Sequence, residues 1–271
     1  MNDLAALRLQ IEWGADEALE DAPVDRLRAA PPPPNPLPQG EGENVRPSPP
    51  PLAGGGRGEG APTPRPTPGD RAQQSAAAAT TLEDLRATIA AFDRCALRDT
   101  ASNLIFAEGD PAATLLLIGD PPGADEDRSG TAFAGAAGDY LDRMLAAISL
   151  ERGQLLMTPL IPWRPPGDRP PSQAEITACL PFLHRLIALV APRRLLLMGL
   201  LAARALLPQA ASRRRPRGEW MDTAIPGTPL VLPALPTFSA VELIRDPSNR
   251  RAAWDDLQLL RRTLDADAAA S

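Results

Sequence analysis

Four short, continuously apolar runs, each followed by a helical pattern, constrain this chain more than any other feature. They are TLLLI at 114–118, LLMTPLI at 155–161, RLLLM at 194–198 and LVLPAL at 230–235. A strand that is apolar on both faces must be covered on both faces, which is the situation of parallel strands in α/β proteins. Helical spacing of apolar residues fills the gaps at 138–150, 172–190 and 200–207, and a last such pattern runs from about 247 to 264. The alternation predicts a three-layer α/β/α sandwich around a central parallel sheet of about four strands.

The flanks read differently. Residues 1–29 suggest a short helical arm, with Leu4, Leu7 and Ile11 on one stripe that could pack on the main domain or dock a partner. Residues 30–79 read as a disordered linker, because Pro and Gly crowd there and large apolar residues are almost missing. Such a segment cannot bury enough surface to offset its ordering entropy. The folded domain is expected over 80–264, opened by a capping box of Thr80 and Glu83, and 265–271 is expected to be a disordered tail.

Composition narrows the function classes. The net charge is −6, so any nucleic-acid contact needs a local basic face. All 28 basic residues are Arg, a side chain suited to phosphate. Two cysteines, Cys95 and Cys179, make no disulfide framework. No run of 18 apolar residues suggests a span, and the N-terminus MNDLAALRLQ lacks the pattern of a secretory signal. The expectation is a cytoplasmic monomer without a membrane partner.

Ligands of open parallel sheets bind beyond the carboxyl ends of the strands. The loops there are GDPPGADEDRSGTAFAG at 119–135, PWRPPGDR at 162–169, Gly199 before LLAARALL, and PTFSAVELIRDP at 236–247. No GxGxxG or P-loop is present, which argues against a nucleotide-binding module. Asp120 is either a turn-former before Pro-Pro or a reactive acid. Phe133 is either core or a stacking platform. Asp125, Glu126 and Asp127 are either a solvated run or functional carboxylates. His184, the one histidine, falls at the edge of the 172–190 helical stripe and is expected at the surface or boundary. Tyr140 is expected to pack.

The segment 103–264 resembles the family 4, iron–sulfur type of uracil-DNA glycosylases. The resemblance rests on GDPPGADEDRSGTAFAGAAGDYLD, TPLIPWRPPGDRPP, CLPFL and SAVELIR, in that order. It implies hydrolysis of the N-glycosidic bond of uracil, or another deaminated base, in DNA. Such enzymes rotate the target nucleotide out of the stack into a pocket. The resemblance makes Asp120 the catalytic acid of the first motif, one methylene shorter than the family Glu. It places Gly119, Phe133, Pro159 and Ser239 around the base, with Phe133 stacking on it. Pro159 stands where the family has a base-reading Asn, and Ser239 where it has a His.

The resemblance also bears on metal. The family's four cluster-ligand positions fall on Phe92, Cys95, Trp163 and Cys179. A [4Fe–4S] cluster is held by four thiolates, so none is expected here, and Cys95 and Cys179 should be buried, inert thiols. For DNA contacts the candidates are Arg164, Arg169 and Arg245, and the run Arg213, Arg214, Arg215 and Arg217. The partner implied is DNA carrying damaged bases, which would place the protein on a bacterial nucleoid. A relative that keeps the fold and binds DNA without catalysis is the competing reading, favoured by Pro159 and Ser239.

Overall fold

The computed structural model describes residues 67–210 and 214–270; the proposed arm at 1–29, the linker up to residue 66 and Arg213 lie outside the described residues. The sheet has six strands: β1 (Glu108–Gly109), β2 (Leu115–Gly119), β3 (Leu156–Pro159), β4 (Arg194–Met198), β5 (Met221–Ala224) and β6 (Val231–Thr237). Their spatial order is β1-β3-β2-β4-β6-β5. The inner four are parallel and are the four apolar runs of the sequence. The sheet is larger than four because β1 and β5 pair antiparallel at its two edges. Neither edge strand is continuously apolar, so the pattern that reveals buried strands passed over both.

Alternate residues of the strands feed two cores. Leu116, Ile118, Leu156, Leu195 and Leu197 face one side, with α1 (Pro68–Ala78), α2 (Leu82–Ala91), α6 (Gln173–Val190) and α7 (Leu200–Leu206). Leu115, Leu117, Met157, Leu196 and Met198 face the other, with α5 (Gly135–Ala147), α8 (Ala240–Arg245) and α9 (Arg250–Ala269). Short α3 (Leu97–Thr100) and α4 (Ala124–Ser129) lie in the connections. The register aligns Pro159, Gly119, Met198 and Thr237 across the carboxyl edge of the sheet.

The structure corrects three boundaries. First, α1 occupies the last part of the segment expected to be linker. Thr67 caps it in a box with Asp70, and Pro68 sits at its start, where a missing N–H does no harm. Ala72 and Ala76, four residues apart, are buried in the core shared with α6. Composition hid this helix because it docks through alanines. Arg185 of α6 adds hydrogen bonds of 2.9 and 2.6 Å to the Ala79 carbonyl. Second, the cap of α2 is Thr81 with Asp84, one residue beyond the expected Thr80 and Glu83. Third, 265–269 is helical rather than tail: α9 runs to Ala269, and Arg194 forks onto Asp267 at 2.5 and 2.7 Å.

By length and mean hydropathy, α6 alone among the described residues could cross a bilayer. Glu175, His184 and Arg185 interrupt it, and Ile176, Cys179, Phe182, Leu183, Leu186 and Ile187 are buried in the first core. His184 is half-buried against α1, and desolvation pushes its imidazole down to about 4. That is the boundary position expected of it.

Candidate active site

Asp120 follows β2 directly and is turned across the carboxyl edge toward α7. Its Oδ1 accepts the backbone N–H of Leu201 at 3.2 Å and of Ala202 at 3.4 Å. The first amides of that helix otherwise lack partners, so the carboxyl acts as a cap contributed from another strand. Gly199, at φ +111°, leaves the space the carboxyl fills. These N–H groups favour the anion, yet burial, and then the charge of Glu242, outweigh them. Asp120 is pushed up to about 7, with Arg215 opposing the rise. A carboxyl poised near neutrality in a cleft is a group suited to proton transfer.

Phe133 stands beside it. Its ring lies against Gly119 so closely that a Cβ there would meet Cε1 at 2.5 Å. Its backbone is left-handed, at φ 53°, which is uncommon for a bulky residue and costs of order 1–3 kcal/mol. The surroundings impose it: Arg152 donates to the Phe133 carbonyl at 2.7 Å, and buried Gly138 leaves room for the same carbonyl. Backbone strain of this kind gathers where a side chain is held in a working position. Gly119, Asp120, Glu126, Phe133, Leu141, Met198 and Ser239 wall a cavity of about 50 Å³, with Pro121, Ala137, Gly138, Ala240 and Val241 completing it.

The acidic run divides into three roles. Asp125 pairs with Arg128 at 2.9 Å. Glu126 accepts the Gly123 N–H at 2.9 Å and borders the cavity, and burial raises its pKa. Asp127 is buried and accepts the amides of Ser102 and Asn103 at 2.8 and 3.2 Å, tying α4 to the chain before β1.

Ser239 joins the cavity; Pro159 does not. Ser239 Oγ caps α8 by accepting the Glu242 N–H at 3.3 Å. Pro159 ends β3 beside Gly119 but borders a second, smaller space near Cys179 and Phe182. Of the candidate basic residues, Arg164 pairs with Asp168 at 2.7 Å and Arg169 forks onto Glu175 at 2.6 and 2.9 Å. Arg215 and Arg217 are directed inward, to Glu242 and to buried Asp256. Arg245 is exposed at the end of α8, beside Val241 and Ile244, which are also exposed. Tyr140 packs in the second core under the guanidiniums of Arg143 and Arg250.

The four positions discussed for metal share the first core. Phe92 meets Phe182 edge-on at 5.0 Å, Trp163 is buried, and Cys95 Sγ stands 3.9 Å from Cys179 Sγ. Two thiols and two aromatic rings do not make the ligand set of a four-iron cluster. Among the described residues no three Cys, His, Asp or Glu side chains gather to hold a metal ion.

Sequence reasoning missed Gly199, Glu242 and Arg215 as neighbours of Asp120. Gly199 carried a signal, a lone glycine between strand and helix. The other two carried none, because only folding brings 215 and 242 to the loop at 120.

A mostly parallel, doubly covered sheet with a buried carboxyl and a propped ring at its carboxyl edge defines an α/β protein with a cleft at that edge. Residues 106–258 match the Uracil DNA glycosylase superfamily. The type-4 uracil-DNA glycosylase of Pyrobaculum aerophilum is 31% identical over 182 residues, 66% of this chain and 92% of that protein. The corresponding protein of Sulfurisphaera tokodaii is 37% identical over 120 residues, 44% of this chain and 54% of that one. That of Thermotoga maritima is 28% identical, over 60% of this chain and 84% of its own. The chain belongs to the uracil-DNA glycosylase superfamily, in its type-4 branch.

Proposed function

We propose that this protein repairs DNA by hydrolysing the N-glycosidic bond of uracil or another deaminated base. The observation that carries the reading is the convergence of Asp120 and strained Phe133 on one cavity. A base turned out of the stack would lie on the Phe133 ring, a contact worth roughly 1–3 kcal/mol and tolerant of base identity. As the C–N bond breaks, its electron pair leaves with the base and the sugar becomes cationic. The Asp120 carboxylate stabilises that cation and takes the proton of the attacking water. The Ser239 hydroxyl, with its hydrogen free while Oγ accepts from Glu242, donates to the departing base.

Pro159, which stands where the family has a base-reading Asn, carries no side-chain donor or acceptor and borders a different space, so base selection rests on fewer hydrogen bonds. Selection of that kind weakens when the site's own polar groups are missing, which supports a substrate range that includes hypoxanthine. Arg245 supplies a phosphate contact, and Arg164 and Arg169 flank the same edge. Exposed Val241 and Ile244 suit insertion between bases, as apolar wedges do in bent DNA. Two of four thiolates support a protein that works without an iron–sulfur cluster. We place it, as a monomer, on the bacterial nucleoid.

The test is incubation with uracil- and hypoxanthine-containing oligonucleotides, single- and double-stranded, followed by alkali. Strand breaks that Asp120→Ala abolishes are expected. DNA binding without any break would overturn the reading in favour of a non-catalytic relative.

A further inference from the structure

Phe238 follows β6 directly and its ring is buried. Two guanidiniums lie over it, that of Arg215 at 4.4 Å from the centroid and that of Arg217 at 5.6 Å. Arg217 is committed to Asp256. Arg215 forks onto Glu242, with one nitrogen 3.2 Å from Oε2 and the other bonded to Oε1. Glu242 Oε2 also accepts the Ser239 backbone N–H at 2.9 Å. One carboxylate therefore ties the 214–217 loop to the first turn of α8. That turn supplies Ser239, Ala240 and Val241 to the wall of the Asp120 cavity.

The pair is about three-quarters covered, with side-chain exposures of 28% and 24%. Charges so placed are screened less than surface ones, and both reach Asp120, Glu242 with the repelling sign and Arg215 with the opposing one. From the other elements around Asp120, α4 presents Glu126, α7 presents the N–H groups of Leu201 and Ala202, and β4 and α5 present only uncharged Met198, Ala137, Gly138 and Leu141.

We propose that Arg215 is a positioning residue for Asp120: lying on Phe238 and forked onto Glu242, it clamps the 238–242 turn and cancels the negative charge that this turn would otherwise direct at the reactive carboxylate. The proposal rests on Asp120 being that carboxylate. It adds to the function a residue that touches neither base nor sugar and sets the pH at which the site works.

The experiment compares Arg215→Met, Arg215→Lys, Glu242→Gln and the double variant Arg215→Met with Glu242→Gln in the full chain. Two readouts are taken against pH: single-turnover excision from a single-stranded oligonucleotide with one deoxyuridine, and the carbon-13 shift of the Asp120 carboxyl. Arg215→Met should raise the midpoint by about one pH unit, lowering the rate at pH 7 about fivefold while the alkaline plateau stays. Glu242→Gln, which keeps an oxygen for the Ser239 amide, should move the midpoint down. The double variant should return near wild type, and Arg215→Lys should rescue. Variants that all lower the plateau with no midpoint moving would show a clamp alone and overturn the proposal. Should the wild type excise nothing, the functional reading fails, and the carbon-13 titration still decides this one. Opposite movements in the two single variants support it, and an unmoved Asp120 midpoint overturns it.

Discussion

The carboxyl group of Asp120 rests on Gly199. A Cβ built on that glycine would stand 2.1 Å from Oδ2 and 2.2 Å from Cγ, and the glycine itself is at φ +111°. The residue that follows β4 is thus part of the site that begins at the end of β2. Gly199→Ala would meet both obstacles, a backbone conformation hostile to a side chain and an occupied space. The expected outcome is excision reduced about 100-fold or more, as when a preorganised catalytic group is lost. Gel-based excision kinetics beside circular dichroism would separate a displaced Asp120 from a failure to fold.

Asp120 should also destabilise the protein that uses it. Burial, and then the charge of Glu242, push its carboxyl in the folded state from the ordinary 3.8 up to about 7. A raised value means the folded state holds the proton longer. The stability tied to this group is full below the unfolded value and is lost as pH rises from about 3.8 to about 7. Over that window the linkage amounts to something on the order of 4 kcal/mol. Asp120→Asn should therefore be inactive, more stable than wild type at pH 8, and close to wild type at pH 4. Thermal melts of both proteins at the two pH values check this. The wild-type excision rate should rise through about pH 7, because the carboxylate is the working form.

Phe133→Ala should remove the stacking face while Arg152 and Gly138 keep the backbone in its left-handed conformation. Loss of roughly 1–3 kcal/mol of base contact corresponds to a fall of about 5- to 150-fold in kcat/KM. Stability should fall as well, because Ala remains strained at the same positive φ and the packing of the ring is lost. Steady-state kinetics and a thermal melt on the same preparation test both statements. Gly119→Ala, which drives a methyl into the same ring, should reproduce the kinetic defect.

Iron should be absent from the purified protein and unnecessary to it. Cys95→Ala with Cys179→Ala removes the thiols and leaves Phe92, Trp163 and Phe182 packed around them. The double variant should fold, retain excision, and lose no absorption near roughly 400 nm. Iron recovered stoichiometrically from anaerobically prepared wild type would contradict this.

Compared with removal of residues 1–66, removal of 1–79 should lower the domain's melting temperature by roughly 6–12 °C, the equivalent of about 3 kcal/mol. The second deletion strips α1, with buried Ala72 and Ala76, from its core and takes away the Ala79 carbonyl that Arg185 bonds. Differential scanning calorimetry of the two truncations checks the boundary.

The parallel core of this protein was legible because buried strands announce themselves locally. The centre of each of the four apolar runs is buried between two helical layers, so its neighbours in sequence suffice to identify it. The same logic explains what stayed hidden. Edge strands β1 and β5 lie at the rims and need no continuous apolar run. Helix α1 packs through alanines, which carry almost no hydropathy signal inside a Pro- and Gly-rich surround. The last turns of helix α9, up to Ala269, carry an ion pair from Asp267 to Arg194, 73 residues away in the sequence.

The site divides along the same line. Gly119, Asp120 and Phe133 lie in one loop within fifteen residues, so their association is local and the sequence alone determined it. Pro159, also placed at the base from sequence, ends its strand beside Gly119 but borders a different space. Tertiary structure alone decided that Asp120 caps α7, that Gly199 makes room for it, and that Arg215 and Glu242 set the charge around it. The physical reason is that the environment of a buried charge is the sum of everything packed against it. Four chain segments, none near another in sequence, meet at that carboxyl only once the sheet has formed.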